Sequence, residues 1–217
     1  MKTFRTTSLA DQVFEKLEND IIHGVYQRGE LLTELKLVEQ LGVSRTPIRE
    51  ALRRLEQERL IEETGKGSLV LGITADDLLD IMNIRERVEG LAAYYACVNM
   101  TDEGREELAH IVDLQDFYFA KWDTEHLRRA DDMFHDAICE LSKRTVIRDT
   151  LQPLYRKTRR YRKTVMQDKE RTALSLQEHH AIVEALQSGD PEKARAVMDA
   201  HMVKVKDYML GRYEKWE

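Results

Sequence analysis

Four side chains of the kinds that bind transition metals recur at helical spacing in the C-terminal two thirds of the chain. Asp131 and His135 lie four residues apart in EHLRRADDMFHDAICEL, on the same face as its apolar residues. His179 and His201 each lie on the apolar face of a later helical pattern. An unpaired carboxylate among apolar groups is costly, and imidazole with carboxylate suits a divalent cation such as zinc, nickel or manganese. The alternative is that each histidine is a hydrogen-bonded core residue.

Arginines of the same region can be interpreted in more than one way. Arg85 interrupts an apolar helical face, and Glu89 follows it by four residues. The two could form a buried ion pair, or Arg85 could bind the carboxylate of a small effector through two hydrogen bonds. The most basic run, YRKTRRYRKTVM at 155–166, is a solvated helix face, a second nucleic-acid surface, or a source of pocket arginines such as Arg159 or Arg162.

Positive charge is concentrated a second time in LGVSRTPIREALRRLEQ, residues 41–57, although the chain carries a net charge of −6. Arg45, Arg49 and Arg53 share one helix face, while an apolar face lies opposite or beside them. Ser44 and the residues after it begin this helix, where free backbone N–H groups favour a phosphate. This is the pattern of a recognition helix in the major groove of DNA. The alternative is a solvated face whose arginines pair with nearby glutamates.

The elements around the arginine helix indicate a small DNA-binding fold. Residues 9–24 have helical spacing, TELKLVEQL forms a second short helix, and Gly42 ends it. RLIEETGKGSLVLG predicts two short strands around Gly65–Gly67, with Lys66 at the tip, where it could reach a phosphate. Helix, short helix, turn, helix and β-hairpin make a winged helix-turn-helix.

From Asp76 onward the pattern predicts helix after helix, and Asp190–Pro191 is a strong helix start. We therefore predict a mainly α protein. A winged helix-turn-helix domain occupies 1–72, and an all-α helical-bundle effector domain occupies 73–217.

Composition favours a globular protein of the cytoplasm. The chain has 217 residues, of which 42% are hydrophobic and 34% charged. Cys97 and Cys139 are too few for a disulfide framework, which indicates a reducing compartment. The sequence contains neither an apolar run long enough to span a bilayer nor a signal-peptide pattern at its start, so we expect a cytoplasmic protein without membrane contact.

The segment LVEQLGVSRTPIREALRRLEQERLIEE, followed by GKGSLV, resembles the GntR family of bacterial transcription regulators over roughly residues 9–72. The resemblance implies that Arg45 and Arg49 contact bases and phosphates of double-stranded operator DNA. It also implies that Ser44 and Thr46 contact the DNA backbone. The wing at Lys66 and Gly67 would lie against the minor groove.

Residues 76–212 resemble the FCD effector domain, the C-terminal half of many FadR-type GntR regulators. The similarity rests on Asp131 and His135, on EHHAIVEALQSGDPEKA, and on His201. It implies that Asp131, His135, His179 and His201 are the ligands of a divalent metal ion. Asp132 is a weaker substitute for Asp131, because it lies off the inward face. An FCD domain also has an arginine that matches Arg85.

These features predict a homodimeric DNA-binding regulator, most simply a repressor, that is released by a small carboxylate such as a sugar acid or another organic acid. The alternative is a metal-dependent, hydrolase-like enzyme with a fused helical domain, in which the ion activates water. No general base or nucleophile stands at a spacing that would support it. A helical interaction module without any ligand is the third possibility.

Overall fold

The computed structural model describes residues 8–212, except for the side chains of Arg160, Lys163 and Thr164. The outermost residues of the two predicted domains, 1–7 and 213–217, lie outside the described residues. The chain divides into two compact units, Met1–Thr74 and Ala75–Glu217. The prediction of a mainly α protein is confirmed.

The first unit has the predicted order of elements, with one addition. Its elements are α1 (Leu9–Ile22), β1 (Leu31–Leu32), α2 (Glu34–Leu41), α3 (Arg45–Gln57), β2 (Ile61–Thr64) and β3 (Gly67–Val70). The added strand β1 pairs antiparallel with β3, and β3 pairs antiparallel with β2, so β3 is the central strand. Helix α2 ends at Gly42, which adopts the left-handed conformation as predicted.

The core of this unit forms where the apolar faces of α1 and α3 meet the sheet. Leu17 on α1, Ile48 and Leu55 on α3, and Leu32 on β1 are fully buried. Burial of one face of α3 leaves its arginine face toward solvent, because the two faces lie on different sides of one amphipathic helix. The core therefore fixes which residues the unit can offer to a partner.

The second unit is all-helical in its described part. Its helices are α4 (Ala75–Val98), α5 (Asp102–Ala120), α6 (Thr124–Leu141), α7 (Thr145–Val165), α8 (Lys169–Gln187) and α9 (Pro191–Leu210). The predicted start of the last helix is correct, since Asp190 accepts a hydrogen bond from the backbone N–H of Lys193 at 3.0 Å and Pro191 occupies the first turn. Within residues 8–212, none of the helices has both the length and the apolar character needed to cross a bilayer.

Candidate functional site

Three buried imidazoles converge inside the helical unit. His135 on α6, His179 on α8 and His201 on α9 each offer a ligand atom, and these atoms all lie within 4.8 Å of one another. The three side chains are at most 4% exposed. Helical spacing brings each histidine to the inward face of its own helix, and the packing of the three helices then brings the rings together. All three histidines are among the four residues that the sequence predicted as metal ligands.

The Nδ1 atom of each imidazole faces an oxygen atom. His179 Nδ1 lies 2.8 Å from Gln115 Oε1 on α5, and His201 Nδ1 lies 2.8 Å from Glu178 Oε2. His135 Nδ1 lies 2.8 Å from Glu89 Oε2, at ion-pair distance but outside hydrogen-bond geometry. Oxygen atoms at Nδ1 favour the tautomer that carries its proton there, which leaves Nε2 with a free lone pair.

The side-chain amide of Gln115 can face His179 in only one orientation. Its Nε2 donates to the carbonyl oxygen of Ala130 at 3.2 Å, so its Oε1 is the atom that accepts from His179 Nδ1. The opposite ring atom, His179 Nε2, is buried and finds no hydrogen-bond partner among residues 8–212. A buried nitrogen lone pair without a donor, beside two more imidazoles, fits a metal ligand.

Electrostatics keep the ring of His179 neutral. Burial lowers the pKa of His179 well below its ordinary value, and the nearby rings of His201 and His135 lower it further. Burial also lowers the pKa of His201, although its hydrogen bond to Glu178 opposes the shift. Metal binding requires the neutral form of imidazole, and this pocket favours that form.

The two carboxylates behind the rings remain ionised. Burial would raise the pKa of Glu89, but Arg85 and His135 more than offset it, and the pKa falls well below its usual range. Burial likewise opposes ionisation of Glu178, yet the hydrogen bond from His201 and the charge of Arg171 lower its pKa to about 2. Both groups are therefore hydrogen-bond acceptors at neutral pH.

The fourth predicted ligand lies beside the histidines but also pairs with an arginine. Asp131 is buried, with Oδ1 at 3.8 Å from His179 Nε2 and Oδ2 at 3.2 Å from Arg162 Nη1. Arg162 Nη1 lies still closer to Asp132 Oδ1, at 2.6 Å. Asp132 thus faces the arginines and not the three rings, so its position favours Asp131 as the carboxylate of the centre.

Arg85 forms the buried ion pair that was one of its two interpretations. Its Nε donates to Glu89 Oε1 at 2.8 Å, and its Nη1 donates to Thr158 Oγ1 at 3.1 Å. The side chain is 1% exposed. Arg85 nevertheless lines a cavity beside His135 and His201, together with Arg162 from the basic run. Pairing with Glu89 and contact with a ligand in that cavity are therefore compatible.

The cavity beside the rings measures about 20 Å³. That volume holds about one water molecule. It accommodates an ion but not an organic acid, so any larger ligand must displace part of the lining.

Two residues of this centre were not predicted from the sequence. Gln115 interrupts the apolar face of α5 and is fully buried, and a lone amide at such a position is the signal that could have drawn attention to it. Glu178 directly precedes His179, but adjacent helical residues point about 100° apart, so spacing gave no reason to connect it to a ring on another helix.

The arginine face of α3 is exposed in the first unit, as are Ser44, Arg45, Thr46 and Arg49. Arg49 Nε donates to Glu34 Oε1 on α2 at 2.7 Å, and its side chain is 65% exposed. This bond holds the guanidinium from its Nε side. The Nη groups, which can meet guanine O6 and N7, take no part in this bond.

Ser44 occupies the N-cap position of α3, as predicted, but its hydroxyl makes no capping hydrogen bond within the described chain. Lys66 at the tip of the hairpin is exposed. Gly67 has a φ of +137°, and a Cβ at this position would lie 2.6 Å from the carbonyl oxygen of Leu32. Glycine is thus required for the pairing of β1 with β3, a role that is separate from any DNA contact.

Comparison with known proteins gives two family matches that together span most of the chain. The FCD domain matches residues 80–204, and the bacterial regulatory proteins of the gntR family match residues 9–70. The HTH-type transcriptional regulator YdhC of Bacillus subtilis (strain 168) is 28% identical over 197 residues, which cover 88% of this chain and 86% of that protein. The gluconate operon transcriptional repressor of Bacillus licheniformis is 30% identical over 123 residues, or 57% of this chain and 51% of the repressor.

A solved structure of Escherichia coli McbR/YncC has the same fold. It superposes with a TM-score of 0.78 at 24% identity, and the match covers 95% of this chain and 99% of that one.

Proposed function

The chain belongs to the GntR family of bacterial regulatory proteins, with a C-terminal FCD domain, and is a DNA-binding transcription regulator; we propose that a small carboxylate bound at a metal centre controls it. GntR regulators bind operator DNA and typically dimerise. The relatives are regulators or repressors and not enzymes, which removes the hydrolase-like alternative.

The buried Nε2 of His179, without a partner in the described structure and next to two further imidazoles, carries the proposal. His135, His179, His201 and Asp131 would hold a divalent ion such as zinc, nickel or manganese. When bound, the ion would supply a Lewis-acidic position for a carboxylate oxygen. The protein would supply the rest of the binding energy through Arg85 and Arg162, which line the same cavity.

Control of DNA binding would then be a shift between two states of a homodimer. A two-fold dimer places two recognition helices on two symmetric half-sites of operator DNA. Ser44, Arg45, Thr46, Arg49, Lys66 and Gly67 would make the DNA contacts. An acid that binds one state of the helical unit more tightly releases the operator, as expected for a repressor that responds to a sugar acid or another organic acid.

The test begins with metal content, measured by plasma mass spectrometry on dialysed full-length protein. We expect about one divalent ion per chain, lost in His179→Ala and retained in His180→Ala. His180 is the matched control because it is the next residue on α8, is 45% exposed, and contacts Asp116 outside the centre. Absence of metal from the wild type, even after addition of zinc, nickel or manganese, would show that the histidines are core residues.

The second step measures release from DNA. Operator fragments selected from random-sequence DNA are bound to the metal-loaded protein, and carboxylates are added while fluorescence anisotropy is followed. Release by a carboxylate in the wild type and His180→Ala, but not in His179→Ala, supports control through the metal centre. Equal release from all three proteins would place the effector elsewhere.

A further inference from the structure

The lining of the cavity beside the proposed metal centre is part polar and part apolar. The polar part includes Arg85 and Arg162 together with Asp131, His135 and His201 of the centre. The apolar part consists of Val165, Met166, Val205 and Met209, and Ser175 is the hydroxyl residue in the lining. An acid that holds its carboxylate to the arginines therefore meets, in the rest of the lining, mainly side chains that have no hydrogen-bond donor.

The donors of the two cavity arginines are largely committed to protein partners. Arg85 uses Nε and Nη1 on Glu89 and Thr158, and Arg162 uses Nη1 on Asp131 and Asp132. Arg162 Nη2 is buried and has no hydrogen-bond partner in the part of the chain that the structure describes. This one free donor suits one carboxylate head group. The two arginines therefore have few donors left for the hydroxyl groups of a sugar acid.

We infer that the effector is a carboxylate with an apolar alkyl or aryl tail and not a polyhydroxy sugar acid, an inference that rests on the function proposed above. Each hydroxyl of a sugar acid would lose water and gain no partner against Val165, Met166, Val205 and Met209, which costs affinity. An alkyl tail gains affinity at the same positions, because burial removes its apolar surface from water.

The apolar side chains of the lining can also make room for a ligand. The free space is about 20 Å³, so a tail must displace part of the lining. Met166 and Met209 are 4% and 1% exposed. Methionine is unbranched and has three rotatable side-chain bonds, so it fills gaps and adapts to a guest more readily than a branched side chain. Two methionines in the cavity lining therefore match a tail of variable shape.

The experiment compares two acids of equal length and charge on the full-length protein loaded with Zn²⁺. Sodium hexanoate and sodium gluconate both have six carbons and one carboxylate. Isothermal titration calorimetry should give a hexanoate affinity at least tenfold higher. Metal content measured after each titration establishes that gluconate has not removed the Zn²⁺.

Two variants test whether hexanoate binds in this cavity. Val205→Thr places a hydroxyl at nearly constant shape among the apolar side chains of the lining, and it should weaken hexanoate binding at least fivefold without loss of Zn²⁺. Val203→Thr, on the exposed side of α9, should leave the affinity unchanged. Equal losses in both variants would show that hexanoate binds outside the cavity and would overturn the inference.

The remaining outcomes separate this inference from the proposed function. Tighter binding of gluconate would overturn the apolar-tail inference and support a carboxylate effector. Binding of neither acid at millimolar concentration to protein that holds Zn²⁺ would overturn both. Wild-type measurements decide the comparison even where a variant fails to fold.

Discussion

The Oε2 atom of Glu89 lies 2.8 Å from Nδ1 of His135, with the two side chains 1% and 4% exposed. The other oxygen of Glu89 accepts from Arg85. Arg85 therefore keeps the carboxylate charged in a buried position, next to an imidazole of the proposed metal centre. Carboxylates in this position fix the ring and raise its basicity toward a metal.

Glu89→Gln should weaken Zn²⁺ binding roughly 10–100-fold, the usual effect of losing such a partner. Competition with a chelating dye measures the Zn²⁺ affinity, and thermal melting checks the fold. Glu86→Gln is the control, since Glu86 lies on the same helix but contacts Lys206. Unchanged Zn²⁺ affinity in a folded Glu89→Gln protein would show that Glu89 serves only to neutralise Arg85.

The stability of the metal-free protein should fall as the pH falls below about 6.5. His179 and His201 have a lowered pKa in the folded state, so below the ordinary pKa of histidine the unfolded chain binds protons that the folded chain does not. The free energy of unfolding then decreases with decreasing pH, by up to about 1.4 kcal/mol per pH unit for each histidine. Glu178 lowers the stability further in a more acidic range of pH, between its ordinary pKa of 4.5 and its folded pKa of about 2.

Urea unfolding of chelator-treated protein between pH 7.5 and 5 measures this dependence. His179→Gln should make it shallower, whereas His180→Gln should leave it as in the wild type. The same dependence of the unfolding free energy on pH in all three proteins would mean that the buried rings titrate as they do in water.

Periodicity alone predicted that the side chains of the proposed metal centre point inward. Asp131 and His135 share a face because they are four residues apart, and the apolar neighbours of His179 and His201 showed that these rings point inward. Gln115 could not be connected to His179 in this way, because that contact depends on how two helices pack. Strand β1 was missed for a related reason: it has two residues, Leu31 and Leu32, and exists only because β3 pairs with it.

The finding that the two interpretations of Arg85 are compatible also needed the structure. Spacing put Glu89 within reach of Arg85. Only the fold shows that Arg85 also donates to Thr158 and that the same side chain lines a cavity. Removal of Arg85 would leave the buried charge of Glu89 uncompensated, which is strongly destabilising. Arg85→Lys is therefore a better probe of effector contact than Arg85→Ala, since it retains the charge while it loses the two-pronged geometry.

Arg49→Ala should lower the affinity for operator DNA by about 1–3 kcal/mol if Arg49 reads a base, and should reduce the preference for operator over random DNA. Anisotropy titrations at several salt concentrations measure both. A base contact leaves the salt dependence nearly unchanged, whereas a phosphate contact lowers its slope by about 1. Lys16→Ala is the control, because Lys16 on α1 pairs with Asp20. Wild-type affinity of Arg49→Ala at every salt concentration would contradict the recognition-helix assignment.

Glu34 should tune this contact through its bond to Arg49. Glu34→Gln keeps a hydrogen-bond acceptor but removes the charge that holds Arg49 Nε. We expect the preference for operator to fall while affinity for random DNA rises slightly, because one negative charge leaves the surface that is proposed to meet phosphates. The same titrations measure both quantities. An increase in specificity would show that Glu34 competes with DNA for Arg49 and does not orient it.

Gly67→Ala should weaken the wing by about 1–3 kcal/mol, since a non-glycine residue at φ +137° is strained and its Cβ would lie 2.6 Å from the Leu32 carbonyl oxygen. Hydrogen exchange of the amides in β1 and β3 reports the local free energy of opening in the intact chain. Gly65→Ala is the matched control two residues away, because an added Cβ there meets nothing within 4 Å. Its effect should stay within about 0.5 kcal/mol. Equal protection of these amides from exchange in both variants would mean that the backbone relaxes around residue 67. Any change in the operator affinity of Gly67→Ala would then report only the contact between the wing and DNA.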